Sequence, residues 1–116
     1  MKQFESGLNG EVCAEAYLQR QGMTTIARRF RAEDGEIDLI MQDGAYVVFV
    51  EVKARPGARA GMGLLAVTPA KQRRMTHAAL AFLARNEWLE HPVRFDVVEI
   101  TRDGVVHVPN AFMAAE

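Results

Sequence analysis

This sequence has a single cysteine, and it lacks long apolar runs and an excess of charge of either sign. Its one cysteine, Cys13, excludes an intrachain disulfide and a multi-cysteine zinc site, and one free thiol fits a reducing compartment. No apolar run reaches the length of a membrane span, and the opening segment MKQFESGLNG lacks the apolar stretch of a secretory signal peptide. We therefore expect a cytoplasmic protein without a membrane-spanning segment.

The overall charge does not point to a polyanionic partner. Fourteen Lys and Arg residues against fifteen Asp and Glu residues give a net charge of −1. A binding surface for nucleic acid or for an anionic membrane must therefore be sought in the placement of charges along the chain. The length of 116 residues fits one domain, and we expect it to span 1–116 with a mobile loop at 55–67.

The first predicted element is an amphipathic helix over residues 6–21. Leu8, Val12 and Ala16 recur every four residues, and Ala14, Tyr17 and Leu18 widen the expected buried stripe. Gly22 follows as a helix terminator. The sequence thus begins with a helix that packs one face on the rest of the fold.

Three predicted strands follow, and Asp-Gly pairs separate them. Such pairs between alternating segments are strong hairpin signals, so the strands are expected to form an antiparallel meander. The two turns are interpreted as Asp34-Gly35 and Asp43-Gly44. The predicted strands cover 24–31, 36–41 and 45–54.

The second half of the chain predicts a helix and two strands. Thr68 and Pro69 have the residue types of a helix cap and a first helical turn. The expected buried stripe of this helix consists of Met75, Ala78, Ala79, Phe82 and Leu83. Strands are expected at 93–101 and, after a turn at Asp103-Gly104, at 105–108. The order αβββαββ predicts an α/β fold in which helices flank a mixed central sheet, with the third and fourth strands parallel.

Acidic and basic residues are separated along the chain. Residues 33–51 contain six acidic and no basic residues, whereas residues 52–86 contain seven basic and no acidic ones. Carboxylates that hold a cation beside a basic surface that holds phosphates would suit a metal-dependent enzyme acting on nucleic acid. A solvated helix face opposite acidic turns would give the same pattern.

Four charged residues are expected to share one face of the sheet. Side chains two positions apart on a strand point the same way, which groups Glu51 with Lys53 and Glu36 with Asp38. If the second turn is Asp43-Gly44, Glu36 lies opposite Glu51 and Asp38 lies one diagonal step away. Charges that follow the apolar run YVVFV are costly to bury unless they are paired or bind a ligand.

The same residues offer a magnesium site. Mg²⁺ takes oxygen ligands, and Asp38, Glu51 and the main-chain carbonyl of Val52 are the candidates. Lys53 is the candidate for orienting or deprotonating an attacking water. The competing interpretation is a structural ion pair in which Lys53 neutralises Glu51 or Glu36.

The three histidines and the cysteine offer no alternative chemistry. His77, His91 and His107 lack the spacing of a zinc site, and we expect them to be structural or incidental. Cys13 has no evident base nearby in the sequence, so we expect it to be buried and unreactive.

Several segments together resemble the YraN-like family of uncharacterised bacterial proteins, and they occur in order over almost the whole chain. That family is assigned by resemblance to the restriction-endonuclease-like, Holliday-junction-resolvase-like nucleases, the PD-(D/E)XK group. The segments are NGEVCAEAYL in the first helix, GEIDLI (35–40), VFVEVKAR (48–55), residues 71–74, RFDVV (94–98) and NAF (110–112). Arg29 stands where the family usually has asparagine.

The resemblance implies a restriction-endonuclease-like fold and Mg²⁺- or Mn²⁺-dependent cleavage of phosphodiester bonds in DNA, including branched or damaged DNA. In it, Asp38 matches the motif aspartate, Glu51 and Lys53 match the E-x-K, and Glu11 matches an acid of the first helix that completes the metal site. Gln72 matches a polar residue beside the scissile phosphate. Because many branched-DNA nucleases of this fold form pairs, a homodimer is also a candidate assembly.

Two rival functions remain at this point. The chain can be a nucleic-acid-binding module of the same fold that does not cleave, or a protein-interaction domain that docks a partner through the 55–67 loop. In the nuclease and the binding module, basic residues are expected to clamp the phosphate backbone without reading bases. These are Arg55, Arg59, Lys71, Arg73 and Arg74. Phosphate binding weakens steeply with salt, and apolar docking does not.

Overall fold

The described part of the chain contains two helices and five strands in the expected order. The computed structural model describes residues 8–55, 57, 59–60 and 66–115, without the side chains of residues 8 and 9. Most of the predicted mobile loop at 55–67 therefore lies outside the described residues. The elements are α1 Leu8–Arg20, β1 Thr24–Ala32, β2 Gly35–Asp43, β3 Tyr46–Arg55, α2 Pro69–Arg85, β4 Val93–Thr101 and β5 Gly104–Phe112.

The five strands form one mixed sheet with one helix on each face. Neighbours follow the chain order β1-β2-β3-β4-β5, and only β3 and β4, which α2 connects, run parallel. On one face, Leu18 of α1 packs with Val48 and Val50 of β3. On the other, Phe82 of α2 packs with Phe49 of β3. The predicted α/β class and mixed sheet are confirmed, and β5 is longer than predicted.

Helix α2 begins and packs as its sequence predicts. The Thr68 hydroxyl accepts a hydrogen bond from the Lys71 amide (3.2 Å), and Pro69 occupies the first turn. All five residues of the predicted stripe are buried. This packing fixes the direction in which the basic side chains of the first turns of α2 project.

Helix α1 buries part of the predicted stripe, Ala14 and Leu18, but not its centre at Val12. Val12 is 59% exposed, and the buried face contains Gly10, Ala14 and Leu18. A Cβ at Gly10 would lie 2.5 Å from the Cβ of Ala54, so α1 approaches β3 too closely for any side chain at this position. The helix thus turns toward the sheet the side that carries Gly10 and Ala14, and it leaves Val12 exposed.

The predicted hairpin turns are each displaced by one residue. Ala32 pairs with Gly35, which makes the first turn Glu33-Asp34. Asp43 pairs with Tyr46, so the second turn is Gly44-Ala45, with Gly44 at a φ of 60°. In the resulting register Leu39 lies opposite Val50. The expectation that Glu36 lies opposite Glu51 is therefore wrong.

Gly35 is needed for a close approach between the first hairpin and α2. A Cβ on Gly35 would collide with the backbone carbonyl oxygen of Arg74. Backbone atoms cannot move aside as a flexible side chain can, so the hairpin and the helix meet here only because residue 35 has no side chain.

Gly35→Ala is expected to lower the free energy of unfolding by about 1–3 kcal/mol, since overpacking a close contact forces the backbone apart. Urea unfolding measures this directly. Gly57→Ala is the matched control, because a Cβ at Gly57 meets nothing within 4 Å. Its expected effect is within about 0.5 kcal/mol. Equal stability of the two variants would contradict the close packing of Gly35.

No helix in the described ranges is both long enough and apolar enough to cross a membrane.

Candidate active site

The alternation of side chains along β2 reverses at Asp38. Ile37 belongs to the core under α2, Leu39 to the core under α1, and Ile40 again to the core under α2. Side chains at 37 and 39 would share a face in a regular strand. Because of this reversal, the Asp38 side chain does not follow the regular alternation of the strand and does not share the orientation of Glu36.

The neighbouring strand changes in the same place. Arg28 and Phe30 pair with Leu39 and Ile37, which leaves Arg29 at the register position of Asp38. Arg28 contacts α1 through Glu15, whereas Phe30 packs against α2. Arg29 has a φ of 51°, in the left-handed region that side chains other than Gly and Asn rarely adopt. Both strands therefore depart from ideal geometry beside Asp38.

Asp38 stands where β2 separates from β3. The pairing of the two strands ends at Leu39 and Val50, and two residues further on the Val52 amide donates to Asp38 Oδ2 (2.8 Å). A carboxylate thus replaces the ladder acceptor. Because the N–H and C=O of one strand residue point to the same neighbouring strand, the Val52 carbonyl faces this gap as well.

Glu51 is buried and bound by two lysines. Its side chain is 4% exposed, and its Oε2 lies 3.3 Å from Lys53 Nζ and 3.2 Å from Lys71 Nζ. Lys53 lies two residues along β3, as the E-x-K spacing predicted, and Lys71 comes from the first turn of α2. Helix α2 therefore helps to define the charge around Glu51.

Burial, together with the negative charge of Glu51, raises the pKa of Asp38 from 3.8 to about 7. The Val52 amide and Lys71 oppose this shift, while the charge of Glu11 adds to it. Two carboxylates held this close favour a bound proton or cation between them. The site is therefore better suited to binding a cation than to holding both carboxylates ionised and uncompensated.

Glu11 lies near this pair but is held by an arginine. Its Oε1 accepts a hydrogen bond from Arg29 Nε (3.1 Å), and its side chain is 12% exposed. One turn later on α1, Glu15 binds Arg28 in the same manner (2.6 Å). The face reversal in β1 lets two consecutive arginines reach the same helix.

Two carboxylates and a main-chain carbonyl are the metal donors that this arrangement provides. Among the described residues, no three Asp, Glu, His or Cys side chains converge on one point. The expected convergence of Glu36 with Asp38 and Glu51 is not found, because Glu36 is exposed and pairs with Arg31 on β1 (3.3 Å). The donors that remain, Asp38, Glu51 and Val52, are all oxygens and fit a hard cation that retains several waters.

The predicted phosphate-binding residues are spread around this end of the sheet. Arg55 and Arg59 are exposed, as are Arg73 and Arg74 on α2, and Lys71 is half-buried against Glu51. The side-chain amide of Gln72 donates a hydrogen bond to the Val67 carbonyl (3.1 Å), so in this conformation it stabilises the start of α2.

Sequence reasoning missed a buried acid on β4. Asp96 is fully buried and accepts hydrogen bonds from Arg94 (3.0 Å) and the Asn110 amide (2.9 Å), and its Oδ2 lies 2.7 Å from His107 Nε2. Burial raises the pKa of Asp96, but the hydrogen bonds from His107 and Arg94 outweigh it and keep the pKa low. The signal was an aspartate inside an apolar strand, two residues after an arginine. This network fastens β5 to β4, which gives His107 a structural role.

A second buried acid, Glu99, lies beside the site on β4. It is 3% exposed and pairs in register with Lys53 of the neighbouring strand. Within the apolar run VVEI it could have been found as an acid at a core-facing position.

Comparison with known proteins matches this chain to one family along most of its length. The family model for "Uncharacterised protein family UPF0102" matches residues 10–100. A UPF0102 protein of Geobacter sulfurreducens is 46% identical over 114 residues, covering 94% of this chain and 89% of the relative. One from Saccharophagus degradans is 43% identical over 116 residues, covering 99% of this chain and 98% of the relative. One from Geobacter metallireducens is 44% identical over 113 residues, covering 94% and 93%.

Proposed function

Since the chain belongs to the UPF0102 family, whose description carries no activity, we propose its function from the geometry of its own site. The proposal is metal-dependent hydrolysis of phosphodiester bonds in nucleic acid, with DNA as the substrate and with the PD-(D/E)XK nucleases as the mechanistic group. Cytoplasmic action is part of it, in keeping with the single free thiol of Cys13.

One observation carries the proposal: the buried carboxylate of Glu51 and the half-buried carboxylate of Asp38 lie with a lysine beside them where two strands of the sheet separate. Asp38 binds the Val52 amide at the point where β2 leaves β3, and Glu51 binds Lys53 two residues further along the strand. Strand ladders do not need such a pair, and burying these charges costs several kcal/mol unless a ligand or counter-ion compensates.

Asp38, Glu51 and the Val52 carbonyl are the groups that would hold Mg²⁺ or Mn²⁺. When bound, such a cation polarises a phosphoryl oxygen and lowers the pKa of a coordinated water. Lys53 lies at 3.3 Å from Glu51 and is placed to orient the attacking water and to balance negative charge in the transition state. Glu11 is an auxiliary acid, available once Arg29 releases it.

The basic residues of β3 and α2 supply the second requirement of the proposal. Arg55 ends β3 a few residues after Glu51, and Arg73 and Arg74 follow Lys71 on α2. A phosphate backbone lying across this end of the sheet would meet these side chains on both sides of the carboxylate pair. Such contacts give affinity without reading sequence.

A binding module without cleavage is the second candidate, and one observation favours it. Glu51 already has two lysines within 3.3 Å, so its charge is compensated without any metal. A carboxylate whose charge is already compensated by lysines can stabilise the fold without binding a metal. The two candidates differ in whether a cation adds anything to the folded protein.

Addition of millimolar Mg²⁺ or Mn²⁺ is expected to stabilise the folded protein by roughly 1–3 kcal/mol at concentrations tens to hundreds of times the dissociation constant. Thermal melts measure the shift, and Asp38→Asn should abolish it. The matched control is Arg20→Ala, which removes an exposed arginine from the far end of α1 and should keep the shift.

Cleavage is tested in parallel on branched, duplex and single-stranded DNA, with the same variants and both cations. Metal-dependent cleavage that Asp38→Asn removes would support the nuclease. Melting curves indifferent to both cations, together with intact substrates, would exclude it and leave the binding module. Light scattering of the same samples reports whether the active unit is a homodimer.

A further inference from the structure

An open pocket of about 360 Å³ lies between the first hairpin and α2. The close approach of Gly35 to the Arg74 backbone forms its floor. Its lining consists of Arg31, Ala32, Gly35, Glu36, Lys71 and Arg74. None of the catalytic candidates lines it, so it is separate from the carboxylate pair.

The lining of the pocket is positively charged. Three cations face one acid, and that acid, Glu36, is already paired with Arg31 Nε (3.3 Å). The Arg31 guanidinium has further N–H groups to offer, since it presents five donors in a planar fork. In the part of the chain that the structure describes, Arg74 has no acidic partner. These groups together suit a small oxyanion.

Lys71 connects the pocket with the candidate active site. Its side chain borders the pocket, and its Nζ lies 3.2 Å from Glu51 Oε2. A ligand in the pocket and a group bound at Glu51 would therefore be neighbours on either side of one lysine. Successive phosphate groups of one polymer strand would be neighbours in the same way.

We infer that this pocket binds a phosphate group of a nucleic-acid strand next to the bond that is cut. The inference rests on the proposed nuclease function for what lies beside the pocket. Arg31 and Arg74 grip the phosphate oxygens, and Lys71 shares its charge between the phosphate and Glu51. The phosphate is either a terminal phosphomonoester or an internal phosphodiester, which present the same oxyanion to these donors.

The experiment measures binding of short single-stranded DNA with and without a 5′-phosphate, in the presence of EDTA so that cleavage cannot occur. Arg31→Ala and Arg74→Ala are each expected to weaken binding about tenfold, as loss of a charge-assisted contact does. Glu36→Gln should tighten binding, because it removes the one negative charge in the lining. Arg20→Ala, at the opposite end of the sheet, should leave the affinity unchanged.

Nuclear magnetic resonance titration locates the ligand. The Gly35 amide signal is expected to shift on addition of the DNA and on addition of inorganic phosphate. Preference for the 5′-phosphorylated strand that Arg74→Ala removes would identify the terminal phosphate, whereas equal weakening of both strands would identify an internal one. Unchanged affinity in both pocket variants, or a Gly35 amide signal that neither the DNA nor inorganic phosphate shifts, would overturn the inference.

The outcome is independent of whether the protein cleaves DNA. Pocket variants that bind and cut as the unaltered protein does would refute the pocket while the nuclease proposal stands. Loss of binding in the pocket variants of a protein that never cuts would support the phosphate site and refute the nuclease.

Discussion

Lys53→Met is expected to reduce cleavage by a factor on the order of 10² or more while DNA binding stays nearly unchanged, as loss of a positioned proton-transfer or electrostatic group does. Lys53 lies 3.3 Å from Glu51 and its side chain is only 22% exposed, so it is a poor general phosphate clamp and a good neighbour for an attacking water. Its removal leaves Glu51 paired with Lys71 at 3.2 Å. The loss of stability should therefore be smaller than the 3–5 kcal/mol that typically follows when a buried pair is broken.

Single-turnover cleavage, DNA affinity and a thermal melt are measured together for Lys53→Met. Lys71→Met is the matched comparison, because it removes the other lysine from Glu51 and also borders the phosphate pocket. It is expected to weaken binding, whereas Lys53→Met is not. A folded Lys53→Met protein that cuts normally would exclude the role assigned to this lysine, and weakened binding with unaltered chemistry would make it a clamp.

Asp38→Asn is expected to make the protein more stable at neutral and alkaline pH. The pKa of Asp38 is raised from 3.8 to about 7 by burial and by Glu51. Between these values the folded state keeps a proton that the unfolded state has released, so the free energy of unfolding falls as pH rises. Asparagine does not titrate, and its side-chain oxygen can still accept the hydrogen bond from Val52. We expect a gain on the order of 1–3 kcal/mol near pH 8, below the full value of the shift because the site is partly open to solvent.

Urea unfolding of both proteins across the range from about pH 4 to pH 8 isolates this contribution, because every other titrating group is common to the two. The curves should converge near pH 4 and separate as the pH rises toward 7. Saturating Mg²⁺ should narrow the separation in the unaltered protein only. Parallel curves over the whole range would show that Asp38 is not held beside another negative charge.

The sequence predicted the elements and their order, because each is specified by local patterns. The stripe of α2 from Met75 to Leu83 has the helical period, and the Thr68 cap and Pro69 fix where the helix starts. An α-helix between two strands requires a crossover, which gave the parallel pair β3 and β4. These features depend on residues that are close in the sequence, so they can be predicted without knowing how the elements pack.

The register of the hairpins could not be predicted from local sequence patterns in the same way. Asp-Gly favours a turn, but it does not say which two residues occupy the central positions. Gly35 was assigned to the turn, whereas its lack of a side chain serves the contact with Arg74. The β2–β3 turn lies one residue further along the chain than predicted. Glu51 therefore lies near Asp38 and not opposite Glu36.

The candidate site was predictable only in part. The spacing of Glu51 and Lys53 predicted their shared face, and their ion pair agrees with it. The reversal of side-chain direction at Asp38 and Arg29 has no signature in the alternation of apolar residues. Lys71, Glu99 and Asp96 meet their partners across the sheet or from another element, which a single sequence does not reveal.

The contact between Gly35 and Arg74 has a consequence for the growing chain. Synthesis proceeds from the N-terminus, so β1, β2 and β3, with their acidic residues, leave the ribosome before α2 exists. At that stage Lys71 is not yet present to pair with Glu51, and the first hairpin has no α2 to pack against. Residues 24–55 contain six acidic and five basic residues, so the nascent hairpins carry almost no net charge, whereas α2 adds four Lys and Arg residues and no acidic residue. If the protein binds a phosphate polymer as proposed, most of the positive charge for that binding is added only when α2 docks, late in the completion of the fold.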